Sequence, residues 1–120
     1  PPPFNEEALL DMVGGDRSFI TETAEMFFDE CPGYLEDLRT AVAEADASAL
    51  EEAAHTVKGV LRTLHANPAQ QAARRLEEIA RNDNLADAPE ALDDLEAETD
   101  RLHKALNEFV AAEVSGSRRH

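Results

Sequence analysis

Apolar residues recur along this chain at intervals of three and four, the spacing that lines one side of an α-helix. A short run with Ala8, Leu9, Met12 and Val13 follows Asn5, an amide placed to cap it, and Gly14-Gly15 end it. Asp16 opens a longer stretch with Phe19, Ile20, Ala24, Phe27, Cys31, Leu35, Leu38 and Val42 in register. Pro32 falls inside that stretch, and its missing N–H predicts a kink or a split near Cys31. A third run, behind Asp46, carries Leu50, Ala53, Ala54, Val57, Leu61 and Leu64. It is expected to stop at Asn67-Pro68, where Asn67 caps and Pro68 begins a fourth helix bearing Ala69, Ala72, Ala73, Leu76, Ile79 and Ala80. The last helix is expected from about Pro89 to Ala112, with Leu92, Leu95, Thr99, Leu102, Leu106 and Phe109 as its stripe. These elements predict an all-α fold: an antiparallel four-helix bundle with a short additional N-terminal helix. Pro1 to Pro3 read as the remnant of a linker, so the chain is expected to be a piece of a longer protein. Residues 4–114 form the expected domain and residues 115–120 a flexible tail.

Charge narrows the partners. The 120 residues hold 26 acidic against 11 basic side chains, a net charge of −15, which repels phosphate backbones and anionic bilayers. Neither nucleic acid nor direct membrane contact is therefore expected. An apolar content of 42% with clear periodicity argues against disorder. The single cysteine, Cys31, forms no internal disulfide, and no apolar run approaches the ~20 residues of a membrane span. A cytoplasmic, monomeric domain is expected, within a parent protein that is free to be membrane-anchored.

The third helix breaks its own pattern. With Val57 at the centre of the apolar stripe, His55 falls about 160° away, beside Arg62 at about 140°, Lys58 at about 100° and Gly59 at about 200°. An interior glycine costs a helix about 1 kcal/mol relative to alanine, and a surface position rarely needs one for its own packing. Gly59 thus points to something that must approach the backbone one turn beyond His55. Residues 55–81 hold five basic side chains against Glu77 and Glu78, a local balance of +3 that leaves −18 for the rest. Arg62, Arg74 and Arg81 all point away from the apolar stripes, which makes a basic island around an exposed imidazole.

The string AAHTVKG at Ala53 to Gly59 resembles the His-x-x-Lys-Gly signature of histidine phosphotransfer (HPt) domains, the phosphoryl carriers of two-component phosphorelays. FNEEALLDMVGGD from Phe4, MFFDECPGYLEDLRTAVAEAD from Met26 and LEEIA from Leu76 resemble the family's flanking pattern, so the likeness spans nearly the whole chain. The resemblance implies that His55 accepts a phosphoryl group, that Lys58 steadies it and that Gly59 leaves room for the partner. It further implies that Glu77, where the family commonly has Gln or another polar residue, orients the imidazole through Nδ1. The basic residues Arg62, Arg74 and Arg81 would then meet an acidic receiver domain. Response-regulator receivers are the implied partners, with histidine kinase domains as further ones, and Mg²⁺ is expected in the receiver rather than bound by this domain. One departure stands out: where the family usually has a small glycine ten residues after the histidine, this chain has His65, so the turn is expected to come from Asn67-Pro68 instead.

Other readings stay open at this level. Receiver-to-receiver relay, with the domain a module of a hybrid sensor histidine kinase, competes with a chemotaxis-type module phosphorylated by an ATP-binding kinase domain. A helical adaptor without chemistry is a third reading. The spacings Glu52-x-x-His55 and Asp100-x-x-His103 suit metal-binding bundles, but such ligands must point inward, and Lys58 and Arg62 beside His55 would repel a cation. No glycine-rich phosphate cradle is present, so no ATP site is expected.

Overall fold

The computed structural model describes residues 2–117. Five α-helices follow one another: α1 (Glu6–Met12), α2 (Arg17–Ala43), α3 (Ala47–Thr63), α4 (Asn67–Arg81) and α5 (Ala88–Ser117), with a single 3₁₀ turn, Leu85–Asp87, ahead of α5. The four long helices close a ring in which α2 packs on α3, α3 on α4, α4 on α5 and α5 back on α2. The expected all-α bundle with a short extra N-terminal helix is the fold observed. The antiparallel register shows in the ion pairs between α2 and α5, where Arg17 meets Glu113 and Arg39 meets Glu96.

Local chemistry accounts for the helix starts. Asn5, Asp16 and Asp46 each present a side-chain oxygen to a backbone N–H of the first turn, at 3.0 Å in every case. The fourth start differs from expectation: Ala66 is the cap, Asn67 is already helical, and no side chain satisfies the first turn. The helix ends share one device. Ala45, His65 and Asp83 take left-handed φ values of 53°, 52° and 54°, so none of the three turns between long helices uses a glycine. At α3, His65 donates its N–H to the Arg62 carbonyl and Ala66 reaches back to Leu61, which wraps the last turn closed. The break therefore comes at His65, not at Asn67-Pro68, and its carbonyl also receives the Asn5 N–H at 2.9 Å.

Pro32 does not split α2, which runs unbroken for 27 residues. Ile20, Ala24 and Phe27 before it and Cys31, Leu38 and Ala41 after it are all buried, so packing on both sides of the proline outweighs the lost hydrogen bond. The core is built mainly of leucine and alanine, with Leu38, Leu50, Leu61, Leu76, Leu95, Leu102 and Leu106 fully enclosed. Two expected stripe residues lie outside it: Phe19 is 53% exposed and Met12 50%. Both sit where α1 meets the start of α2, beyond the reach of the shorter α3–α4 hairpin. There a small second core of Leu9, Ile20 and Phe109 is covered by Phe4, Leu10 and Val13. The last helix continues past the expected end at Ala112 to Ser117, and the remainder of the expected tail lies outside the described residues, as does Pro1. Among the described residues no helix is long and apolar enough to cross a membrane.

A non-glycine residue held in the left-handed region is strained by about 1–2 kcal/mol. His65→Gly is expected to raise the unfolding free energy by up to about 1 kcal/mol once the greater freedom of glycine in the unfolded chain is set against this relief. Urea denaturation followed by circular dichroism measures it, and a loss of stability would mean that contacts of the half-buried imidazole outweigh the backbone strain.

Candidate functional site

The seam between α3 and α4 places the residues of interest in an antiparallel ladder. Glu51, His55 and Lys58 rise along α3 at helical spacing, and Glu77 and Arg81 stand one turn apart on α4. His55 projects outward, its side chain 71% exposed, as its helical angle predicts. Its Nδ1 lies 2.6 Å from Glu77 Oε2. Glu77 is the buried member, 3% exposed, and its other oxygen, Oε1, accepts from Lys58 Nζ at 2.7 Å. Arg81 Nη2 approaches the same Oε1 at 3.5 Å, while its Nε pairs with Glu51 Oε2 at 3.0 Å.

Glu77 sits at a boundary angle on α4, and burial in the seam is possible only because both of its oxygens are matched there. Desolvation pushes its carboxyl upward, but the hydrogen bonds and charges of Lys58 and His55 together outweigh that and hold it below the usual carboxylate value. An anionic carboxylate can only accept, so Nδ1 is the donor to Glu77, and in the neutral imidazole the lone pair then lies on Nε2.

The remaining expected site residues divide into two groups. Gly59 has no atom within 4 Å of where a Cβ would stand, so nothing inside the fold demands glycine there. Next to it, Val60 joins Met26, Phe27 and Leu64 in a small apolar notch of about 180 Å³, and Met26 is 60% exposed. The basic island, by contrast, is largely neutralised: Lys58 holds Glu77 and is only 23% exposed, Arg74 pairs with Glu78, Arg75 with Asp94, and Arg81 with Glu51. Arg62 makes no ion pair among the described residues. Sequence reasoning counted these cations within one window and missed the acidic partners that α5 and the start of α3 bring to them. Glu51 was missed altogether, although its position one turn before His55 and opposite Arg81 in an antiparallel hairpin was a usable signal.

Beside His55 lies an open cleft of about 330 Å³, lined by Ser48, Glu51, Glu52, Thr56, Glu77 and Arg81 as well as by His55. The larger groove between α2 and α3, about 440 Å³, is lined by Glu36, Asp37, Glu44 and Glu52 without a lysine or arginine, which makes it hostile to a phosphoryl group. The spacings weighed for a metal do not converge: His103 stacks on Phe28 at 4.3 Å, on the far face from His55.

A family model described as "Hpt domain" matches residues 22–105, which hold α3, α4 and all the site residues. Among solved structures, the histidine-containing phosphotransfer protein B (HptB) from Pseudomonas aeruginosa PAO1 superposes with a TM-score of 0.86 at 22% sequence identity, covering 92% of this chain and 96% of that one. No curated protein sequence matches the chain.

Replacing Glu77 by Gln keeps an acceptor for Nδ1 but removes the countercharge of Lys58, an expected loss of about 1–3 kcal/mol at pH 7. Because the folded carboxyl titrates below its ordinary value of 4.5, its stabilising contribution is complete above that value and fades as pH falls through the lower folded one. The stability gap between the parent protein and Glu77→Gln is therefore expected to narrow between pH 6 and pH 3 in urea melts. A gap that stays constant would contradict an ionised Glu77.

Proposed function

The chain belongs to the Hpt domain family, whose members serve as histidine phosphotransfer modules of two-component phosphorelays and interact with response-regulator receivers, and we propose that His55 is its phosphoacceptor. The observation that carries this is the pairing of His55 Nδ1 with the buried Glu77 carboxylate, which leaves Nε2 as an exposed nucleophile.

In this reading Nε2 attacks the phosphorus of a receiver's aspartyl phosphate, the acyl P–O bond breaks, and the aspartate carboxylate leaves with its electron pair. The Nδ1 proton stays where it is, shared with Glu77, so no proton needs to move during transfer. Phosphoryl transfer depends chiefly on alignment and charge neutralisation. Glu77 aligns the ring, and Lys58 contributes its positive charge from its place on Oε1. The domain needs no cofactor of its own here, since a Mg²⁺ ion belongs to the receiver. Passing the group on to a second receiver runs the same geometry in reverse.

Gly59 and the apolar notch beside it give the receiver an approach. The notch lies next to the bare backbone of α3, and Arg62, without an internal partner among the described residues, offers the docking receiver a charge. Arg74 and Arg81 are engaged with carboxylates and become available only if those pairs open. Receiver-to-receiver relay as a module of a hybrid sensor histidine kinase remains the favoured context.

With a phosphorylated receiver as donor, the chain is expected to acquire label that is stable to alkali and labile to acid, and His55→Gln to acquire none. Label that persists in that variant would place the acceptor elsewhere. Gly59→Gln should leave the fold as stable or firmer by up to about 1 kcal/mol, because glycine is a poor helix residue. The same change should slow transfer from the receiver at least tenfold, whereas unaltered rates in stopped-flow or gel assays would show that the clearance is unnecessary.

A further inference from the structure

Phosphorylation of His55, on which this inference rests, adds about two negative charges at Nε2. The groups around it are already balanced, since Lys58 and Arg81 stand against Glu77 and Glu51. Neither cation has charge to spare, so one of them must leave its carboxylate if the phosphoryl group is to be gripped directly.

The two departures are unequal. Lys58 is 23% exposed and bound to a carboxylate that is 3% exposed, so its departure would deprive a buried anion of its closest cation. Arg81 is 60% exposed and Glu51 41%, and an ion pair that open to water contributes little and rehydrates readily when broken. Position points the same way. Arg81 lines the cleft beside His55, and Lys58 does not. The planar guanidinium also presents paired donors that match phosphoryl oxygens.

We propose that Arg81 is the side chain that grips the phosphoryl group on His55, leaving Glu51 to do so, while Lys58 stays on Glu77. Glu51 is then the resting counter-ion that keeps Arg81 parked at the rim of the cleft. The reassignment moves the task that the resemblance gives to Lys58: Lys58 holds the holder of the ring, and Arg81 meets the phosphate.

Phosphoramidate tests this without a receiver. Nε2 displaces ammonia from its phosphorus, the donor P–N bond breaks, and ammonia departs with the electron pair. The second ionisation of the resulting phosphohistidine is then read from its ³¹P signal as pH is varied. A cation in contact favours the dianion, so Arg81→Gln should raise the midpoint by about half a pH unit, a threefold change in proton affinity. Glu51→Gln should lower the midpoint, because Arg81 is no longer shared, and Lys58→Gln should shift it less than Arg81→Gln. In the parent protein the Arg81 Nε–H resonance should also move on phosphorylation. An unmoved midpoint in Arg81→Gln, or a larger shift in Lys58→Gln, overturns the assignment while leaving His55 as acceptor. Failure of the parent protein to form any phosphohistidine would overturn both.

Discussion

A single buried carboxylate ties the two helices of the site together. Glu77 is enclosed in the α3–α4 seam with one oxygen on His55 and the other on Lys58, and each contact needs the others. Without Lys58 the buried carboxylate would lose its closest cation; without an acceptor at position 77, nothing on α4 would choose which ring nitrogen of His55 carries a proton. The imidazole is thus oriented by an interaction that also ties α3 to α4.

The charge distribution follows from this arrangement. The chain is strongly acidic, and its hairpin carries most of its clustered basic residues, yet almost all of them are committed to neighbouring carboxylates. The surface around His55 thus combines an exposed imidazole, one arginine without an ion pair among the described residues, a bare stretch of backbone and an apolar notch.

Features set by short-range rules were legible in the sequence. Asn5, Asp16 and Asp46 cap the helices they precede because capping involves only the next three residues. The helical angle of His55 was enough to place it outside. Features decided by other helices were not legible. Pro32 is tolerated because residues on both sides of it find burial against α3 and α5, which no local rule reports. Phe19 follows the stripe but lies beyond the hairpin that would have covered it. His65 adopts a conformation that favours glycine because the bundle dictates the turn. The pairing of Arg81 with Glu51 depends on the antiparallel register across thirty residues.

That register is set by the three-residue link Leu64–Ala66, where the left-handed His65 reverses the chain. The link carries no chemistry of its own, but it acts as the ruler of the site. One residue more or fewer would turn α4 by about 100° relative to α3, swinging Glu77 out from beneath His55 and Arg81 away from Glu51 together. The left-handed turn accommodates a histidine here, whereas a change in the number of residues would dismantle the seam.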